Sequence, residues 1–243
     1  MVTKNDIKFI NSLKHKKFRD LNNCFIVEGK KSIKEFINSE FKLIKLFSVN
    51  SFFFKEVNNQ LQIEYNQLKK ISFLNNPDDH LAIFELKKTK PINNENLIIA
   101  LESVRDPGNL GTIIRSCEWF GVKDIICSLD SVDCYNPKVI QAAMGSISRL
   151  NISYLNLGQY LKTSKSVKIG TSSIGKSIYK SNIKSDNSIL VFGNEANGIS
   201  DELFKIIDFN LSIPRFQNHN FPESLNLASS LAIILGEIKS KEI

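Results

Sequence analysis

The stretch LESVRDPGNLGTIIRS, Leu101 to Ser116, decides the fold class of this 243-residue chain. It closes an apolar run, Leu97 to Leu101, that reads as a buried strand. The chain then turns through Asp106-Pro107-Gly108-Asn109, where Pro and Gly flanked by Asp and Asn are strong turn chemistry. An amphipathic helix follows, carrying Ile113, Ile114, Cys117 and Phe120. A loop between a strand's carboxyl end and a helix's amino end is where α/β proteins place ligands. Arg105 and Arg115 bracket it. Arginine is scarce here, confined to Arg19, Arg105, Arg115, Arg149 and Arg215, and its planar, permanently charged fork is not interchangeable with lysine. The pair reads as handling an anion or, more blandly, as surface charges of a loop and a helix.

Working outward from this block, short apolar strands alternate with helices. Strands are expected over 97–102, 124–129, 150–155, 167–171, 189–192 and 210–213, and helices over 110–120, 137–145, 200–207 and 224–239. That alternation predicts an α/β fold with a mostly parallel sheet covered on both faces. Upstream, the polar segment 89–96 has no apolar periodicity and reads as a linker between a second domain, 97–243, and a small α/β domain, 1–88. The latter is expected to contain a strand over 25–29, a helix over 30–38, a strand over 42–49, a broken helical stretch over 51–70 and a closing strand over 80–86.

Composition narrows the partners. Apolar residues make up 42% of the chain and charged residues 23%, ordinary for a folded globular protein. No apolar run approaches the length of a membrane span, and the amino terminus MVTKNDIKFI lacks a signal peptide's apolar core; the expectation is a cytoplasmic protein. Cys24, Cys117, Cys127 and Cys134 form no C-x-x-C pair, and His15, His80 and His219 are scattered, so buried free thiols and no metal are expected. The net charge is +7, with 16 Lys and Arg against 10 Asp and Glu in residues 1–88, and 16 against 15 beyond them. The densest cluster is KHKKFR, with Lys14, Lys16, Lys17 and Arg19. A basic excess gathered in one domain is the footprint of a polyanion binder, although a solvated lysine-rich face reads the same way.

Two further segments place turn or helix-start residues just past a strand. In ILVFGNEANGIS, Ile189 to Ser200, an apolar strand runs into Gly193-Asn194-Glu195 and Gly198; glycines there permit close backbone approach, and Glu195 is a carboxylate at an apolar strand end. No G-x-G-x-x-G fingerprint is present, which argues against a nicotinamide cofactor. In LSIPRFQNHNFPESLNLASSLAIILGEI, Leu211 to Ile238, a strand ends at Ile213-Pro214 and a long helix opens near Ser224. Ser224 or Glu223 is the expected cap. Asn226 fits capping less well, and Ala228, Ser229, Ser230 and Ala232 make a small-residue face.

Together, in order and spacing, these segments resemble the three motifs of the SpoU/TrmH-type RNA ribose 2′-O-methyltransferases of the SPOUT superfamily. Asn109 and Arg115 match the first motif; Gly193, Asn194, Glu195 and Gly198 the second; Ile213-Pro214 and Ser224-Leu225-Asn226 the third. The resemblance covers about residues 95–240. It implies a SPOUT domain with a carboxyl-terminal trefoil knot, an exception to the rule against knots, preceded by a small RNA-binding domain. It also implies a homodimer and S-adenosylmethionine held by Thr171, Gly193, Ile213 and Leu225. Arg115, Asn109, Glu195, Ser224 and Asn226 would carry the chemistry, and Lys14, Lys16, Lys17, Arg19 and Arg105 would hold RNA. The implied activity is methylation of a ribose 2′-hydroxyl, in ribosomal rather than transfer RNA. The alternatives are a transfer RNA enzyme, a non-catalytic RNA-binding protein on the same scaffold, and an unrelated α/β enzyme acting on an anionic small molecule. One departure stands out: Arg215 to Glu223 (RFQNHNFPE) is longer than the family's loop, lacks its glycine, and carries Arg215 and Phe216, side chains suited to meeting RNA by charge and stacking.

Overall fold

The computed structural model describes residues 2–49, 57–183, 185–216 and 224–243. In chain order its elements are α1 (Lys4–Ser12), α2 (Lys16–Asn22), β1 (Cys24–Glu28), α3 (Lys30–Ile37), β2 (Leu43–Ser48), β3 (Gln60–Gln62), α4 (Tyr65–Ile71) and β4 (His80–Glu85). They continue with β5 (Ile98–Leu101), α5 (Pro107–Trp119), β6 (Asp124–Ser128), α6 (Pro137–Ala143), β7 (Asn151–Leu155), α7 (Leu157–Thr163), β8 (Val167–Ser177), β9 (Ser188–Phe192), α8 (Asp201–Phe204), β10 (Phe209–Ser212) and α9 (Leu227–Ser240). The chain divides into two compact units: Met1–Lys88 with Asp133–Arg149, and Thr89–Val132 with Leu150–Ile243.

In the first unit β1, β4 and β2 pair antiparallel and β3 adds parallel to β2. Strand residues alternate between faces. Ile26, Phe47, Leu81 and Ile83 pack with Ile10 of α1 and Leu68 and Ile71 of α4. An aromatic cluster of Phe25, Phe36, Phe41, Phe84 and Tyr135 forms a second core, with ring centroids 4.5–6.3 Å apart. Tyr135 comes from Asp133–Arg149, which linear reading leaves in the second domain; its contacts make it part of the first unit. The expected helical stretch 51–70 resolves into β3 and α4 over its described part, and residues 50–56 lie outside the described residues. Neither α1 nor α2 was expected from apolar periodicity, yet Thr3 and Asp6 form a capping box that starts α1.

The second unit is built on a six-stranded, all-parallel sheet in the order β10-β8-β9-β5-β6-β7. Ile98, Ala100, Ile126, Ile189 and Val191 pack with Leu157 and Leu161 of α7 and Leu203 of α8. The other layer is α5 packed against α9, burying Ile113, Ile114, Cys117, Leu231, Ile234 and Leu235. The expected parallel sheet with two covered faces is therefore present. All four cysteines are buried and take part in no disulfide.

Strand order locates the ligand crevice. From β5 the chain steps outward to β6 and β7, then crosses to the other side of β5 for β8 and β9. The carboxyl ends of β5 and β9 are thus neighbours where the winding reverses, and open α/β sheets bind ligands there. Boundaries differ from expectation for local reasons. α5 starts at Pro107, because proline is tolerated at the first helical position and the Asp106 side chain accepts from the Asn109 N–H at 2.7 Å. β8 runs on to Ser177, since β10 pairs first with Ile169 and Gly170 and then with Lys176 and Ser177, so 171–175 loop out of the ladder. α7, not expected, is capped by Asn156, which accepts from the Gln159 N–H.

Candidate active site

The loops after β5 and β9 meet through one carboxylate. Glu195 Oε1 accepts from the Asn109 Nδ2 at 3.2 Å and from the Asp106 backbone N–H at 3.3 Å. The negative charge therefore sits at the amino end of α5, where the helix dipole favours an anion. Asn194 holds the same loop from within: its Oδ1 accepts from the N–H groups of Ala196 and Asn197, and its Nδ2 donates to the Ser103 carbonyl at 2.7 Å. Gly193 is required by close approach, since a Cβ there would lie 2.0 Å from the Gly198 carbonyl carbon.

The third motif joins through Asn226. Its Nδ2 donates to Asn109 Oδ1 at 2.9 Å, while its own Oδ1 accepts from the N–H groups of Ala228 and Ser229 at 3.0 and 3.2 Å. Asn226 is thus the cap of α9, which corrects the expectation of a Ser224 or Glu223 cap; Glu223 itself lies outside the described residues. A single amide satisfies two orphan donors and still has an N–H left for Asn109. Glu195, Asn109 and Asn226, from three separated segments, form one chain of hydrogen bonds. Arg115 and Ser224 are exposed and stand outside it. Arg115 is six residues beyond Asn109 on α5, about 120° around the helix.

Sequence reading missed the support beneath the first loop. Ser103 adopts a left-handed conformation, φ 52°, rare for a residue with a Cβ. It is held by donation of its N–H to Ser128 Oγ at 2.8 Å and of its Oγ to Asp130 Oδ2 at 2.6 Å. Ser128 Oγ donates to the other Asp130 oxygen, and Arg105 reaches Asp130 at 3.4 Å. Hydrogen bonds from Ser103 and Ser128, with the Arg105 charge behind them, hold the Asp130 carboxyl below its ordinary range. Arg105 remains largely exposed but is tethered to the loop after β6. No sequence signal marked Asp130, because its partners are set by the neighbouring strand.

Three of the proposed cofactor residues lie on or just past the adjacent strands β8, β9 and β10. Thr171 lies within β8, one residue past the stretch paired with β9, and its hydroxyl donates to the Val191 carbonyl at 3.0 Å; Gly193 directly follows β9 and Ile213 directly follows β10. Leu225, before α9, exposes about half its surface. Half-exposed apolar side chains beside strand-end backbone suit a purine and a sulfonium-bearing chain, so these residues fit S-adenosylmethionine. Most of the unusual loop, 217–223 with His219, lies outside the described residues.

The basic cluster divides. Lys14 and Lys17 are exposed, and Lys16 pairs with Asp20 one turn along α2 at 2.6 Å. Arg19 is not a surface residue: it is 2% exposed, donates to the Leu13 and Lys14 carbonyls at 2.9 Å, and meets Asp133 with both Nε and Nη2. The expectation that Arg19 contacts RNA is overturned, because a buried guanidinium with four matched donations is a structural ion pair.

Residues 96–236 match the SpoU rRNA Methylase family, and residues 4–82 match the MRM3-like substrate binding domain. The chain is 26% identical over 241 residues to the 23S rRNA (guanosine(2553)-2′-O)-methyltransferase RlmP of Bacillus subtilis, covering 96% of this chain and 95% of that protein. Among solved structures, a TrmH-family protein from Porphyromonas gingivalis superposes with a TM-score of 0.89 at 30% identity, covering 99% of each chain. An AdoMet-bound rRNA methyltransferase from Sinorhizobium meliloti does so at 0.88 and 27%, covering 100% of this chain and 98% of that one. Three motifs joined at the reversal of a parallel sheet, and a family match over more than half the chain, lead to one assignment: the chain belongs to the SpoU rRNA methylase family.

Proposed function

We propose that this protein is an S-adenosylmethionine-dependent RNA methyltransferase acting on a ribose 2′-hydroxyl of ribosomal RNA. The observation that carries it is the Glu195–Asn109–Asn226 hydrogen-bond chain, which ties all three motifs to the crevice. S-adenosylmethionine supplies an electrophilic methyl group on a sulfonium. Thr171, Gly193, Ile213 and Leu225 would hold it through backbone groups and apolar contact. Methyl transfer to a hydroxyl needs in-line approach and loss of the hydroxyl proton, and positioning supplies much of the rate. Arg115 is assigned to stabilise the developing alkoxide, since a guanidinium holds its proton too firmly to serve as a base. Asn109 and Asn226 orient the ribose and Arg115, Ser224 donates nearby, and Glu195 fixes the loop.

Lys14, Lys16 and Lys17 are assigned to RNA phosphates, with Arg105 a further contact. The same reading includes a trefoil knot, a homodimer using the small-residue face of α9, and a cytoplasmic location; family membership supports the first two. The test is a map of ribose methylation, in which a 2′-O-methyl leaves a gap in an alkaline cleavage ladder. One gap in ribosomal RNA is expected to vanish when the protein is removed. No lost gap in ribosomal or transfer RNA would overturn the assignment.

A further inference from the structure

Away from the Glu195 network, one surface of the second unit combines exposed aromatic rings with basic side chains. After rejoining β10 at Lys176, the chain makes a single 3-10 turn, Ile178–Lys180. Ile178 is buried and anchors the turn, while Tyr179 projects from it, 48% exposed, between the exposed Lys176 and Lys180. The turn is pinned from below. Lys241, just past α9, donates to the carbonyls of Ile178 at 3.2 Å and Ser181 at 2.6 Å, and Ser181 Oγ donates to the Ser177 carbonyl at 2.7 Å. Phe216, three residues beyond Ile213, brings its ring centroid to 6.5 Å from that of Tyr179 at 44°, yet is 85% exposed. Arg215 precedes it. Two rings held at the surface forgo the burial that ordinarily places aromatics inside.

We infer that Tyr179 and Phe216 form a base-stacking platform for single-stranded RNA beside the cofactor residues, with Lys176, Lys180 and Arg215 attracting the adjoining phosphates. Aromatic faces that accept splayed bases, set among cations, are the usual means of gripping an unpaired strand. The apolar surface is split by lysines, which suits a polyanion better than an apolar protein face. Phe216 stands four residues past the β10 end and Tyr179 two past the β8 end, so a base stacked there would hold the strand on which the reacting ribose lies. This inference rests on the RNA reading above and adds a specific contact to it.

The test uses the full-length protein, a 12-nucleotide oligoadenylate carrying one 2-aminopurine, and methylation of unmodified ribosomal RNA. Wild type should bind the oligonucleotide and quench 2-aminopurine by stacking. Phe216→Ala and Tyr179→Ala should each bind about tenfold more weakly, with unchanged thermal unfolding. Phe216→Leu should lose the quench, whereas Phe216→Trp should restore it, a readout that a merely structural role would not move. If wild type methylates RNA but the variants bind and quench like wild type, the platform is overturned and the enzyme assignment stands. If wild type neither binds nor methylates, the RNA reading fails and this inference fails with it.

Discussion

Asn226 shows how much one side chain can be asked to do. Its oxygen caps α9 and its N–H reaches Asn109, so the two tasks can be separated chemically. Asn226→Asp keeps an acceptor for the helix and loses the donor; it should stay within about 0.5 kcal/mol of wild-type stability, yet lower the methylation rate. Asn226→Ala should cost about 1 kcal/mol as well, measured by chemical denaturation. Arg115→Lys should reduce kcat by about a hundredfold with cofactor affinity unchanged by calorimetry; near-normal turnover would remove Arg115 from the chemistry. Asp130 gives a pH signature. Its folded pKa lies below the unfolded carboxylate value, so its contribution is fully present above that unfolded value, about 3.9, and is lost as pH falls through the folded one. Urea unfolding between about pH 6 and pH 3 should show a shallower acid loss in Asp130→Asn than in wild type.

Among the elements, the strands of the second unit were legible because apolar runs bounded by turn residues are local signals. The helix starts were less so. Proline and glycine at 107–108 read as a turn, and only the Asp106 cap shows that they are the first turn of α5. The length of β8 was hidden for another reason, since its second half pairs with a strand some 35 residues on, after a register shift that no local pattern announces. Gly193 offers an element-level test. Gly193→Ala would force a Cβ into the returning backbone at Gly198 and should destabilise the protein by about 2 kcal/mol or more. An unchanged denaturation midpoint would mean that the loop after β9 relaxes freely.

For the molecule as a whole, the first unit draws on a segment encoded inside the second. Asp133 neutralises the buried Arg19 from 114 residues away, and Tyr135 completes the aromatic cluster around Phe25. A fragment comprising residues 1–88 would leave a guanidinium buried without its carboxylate, a defect worth about 3–5 kcal/mol. Such a fragment should give a poorly dispersed NMR spectrum and no cooperative unfolding transition, while the full chain should give a well-dispersed spectrum and a cooperative transition; a well-dispersed fragment would show that Asp133–Arg149 is dispensable.

Read by itself, the chain's sequence determined the α/β class, the succession of strands in its second half, and the three segments that make the site. These depend on apolar periodicity, turn residues and spacing, all of which act over a few neighbouring positions. Tertiary structure alone decided that Glu195 and Asn226 both reach Asn109, across 86 and 117 residues, that Arg19 is interior, and that Tyr179 stands beside Phe216. Those outcomes follow from which strands lie side by side and which charge must be neutralised on burial, conditions that arise only when distant parts of the chain share one core.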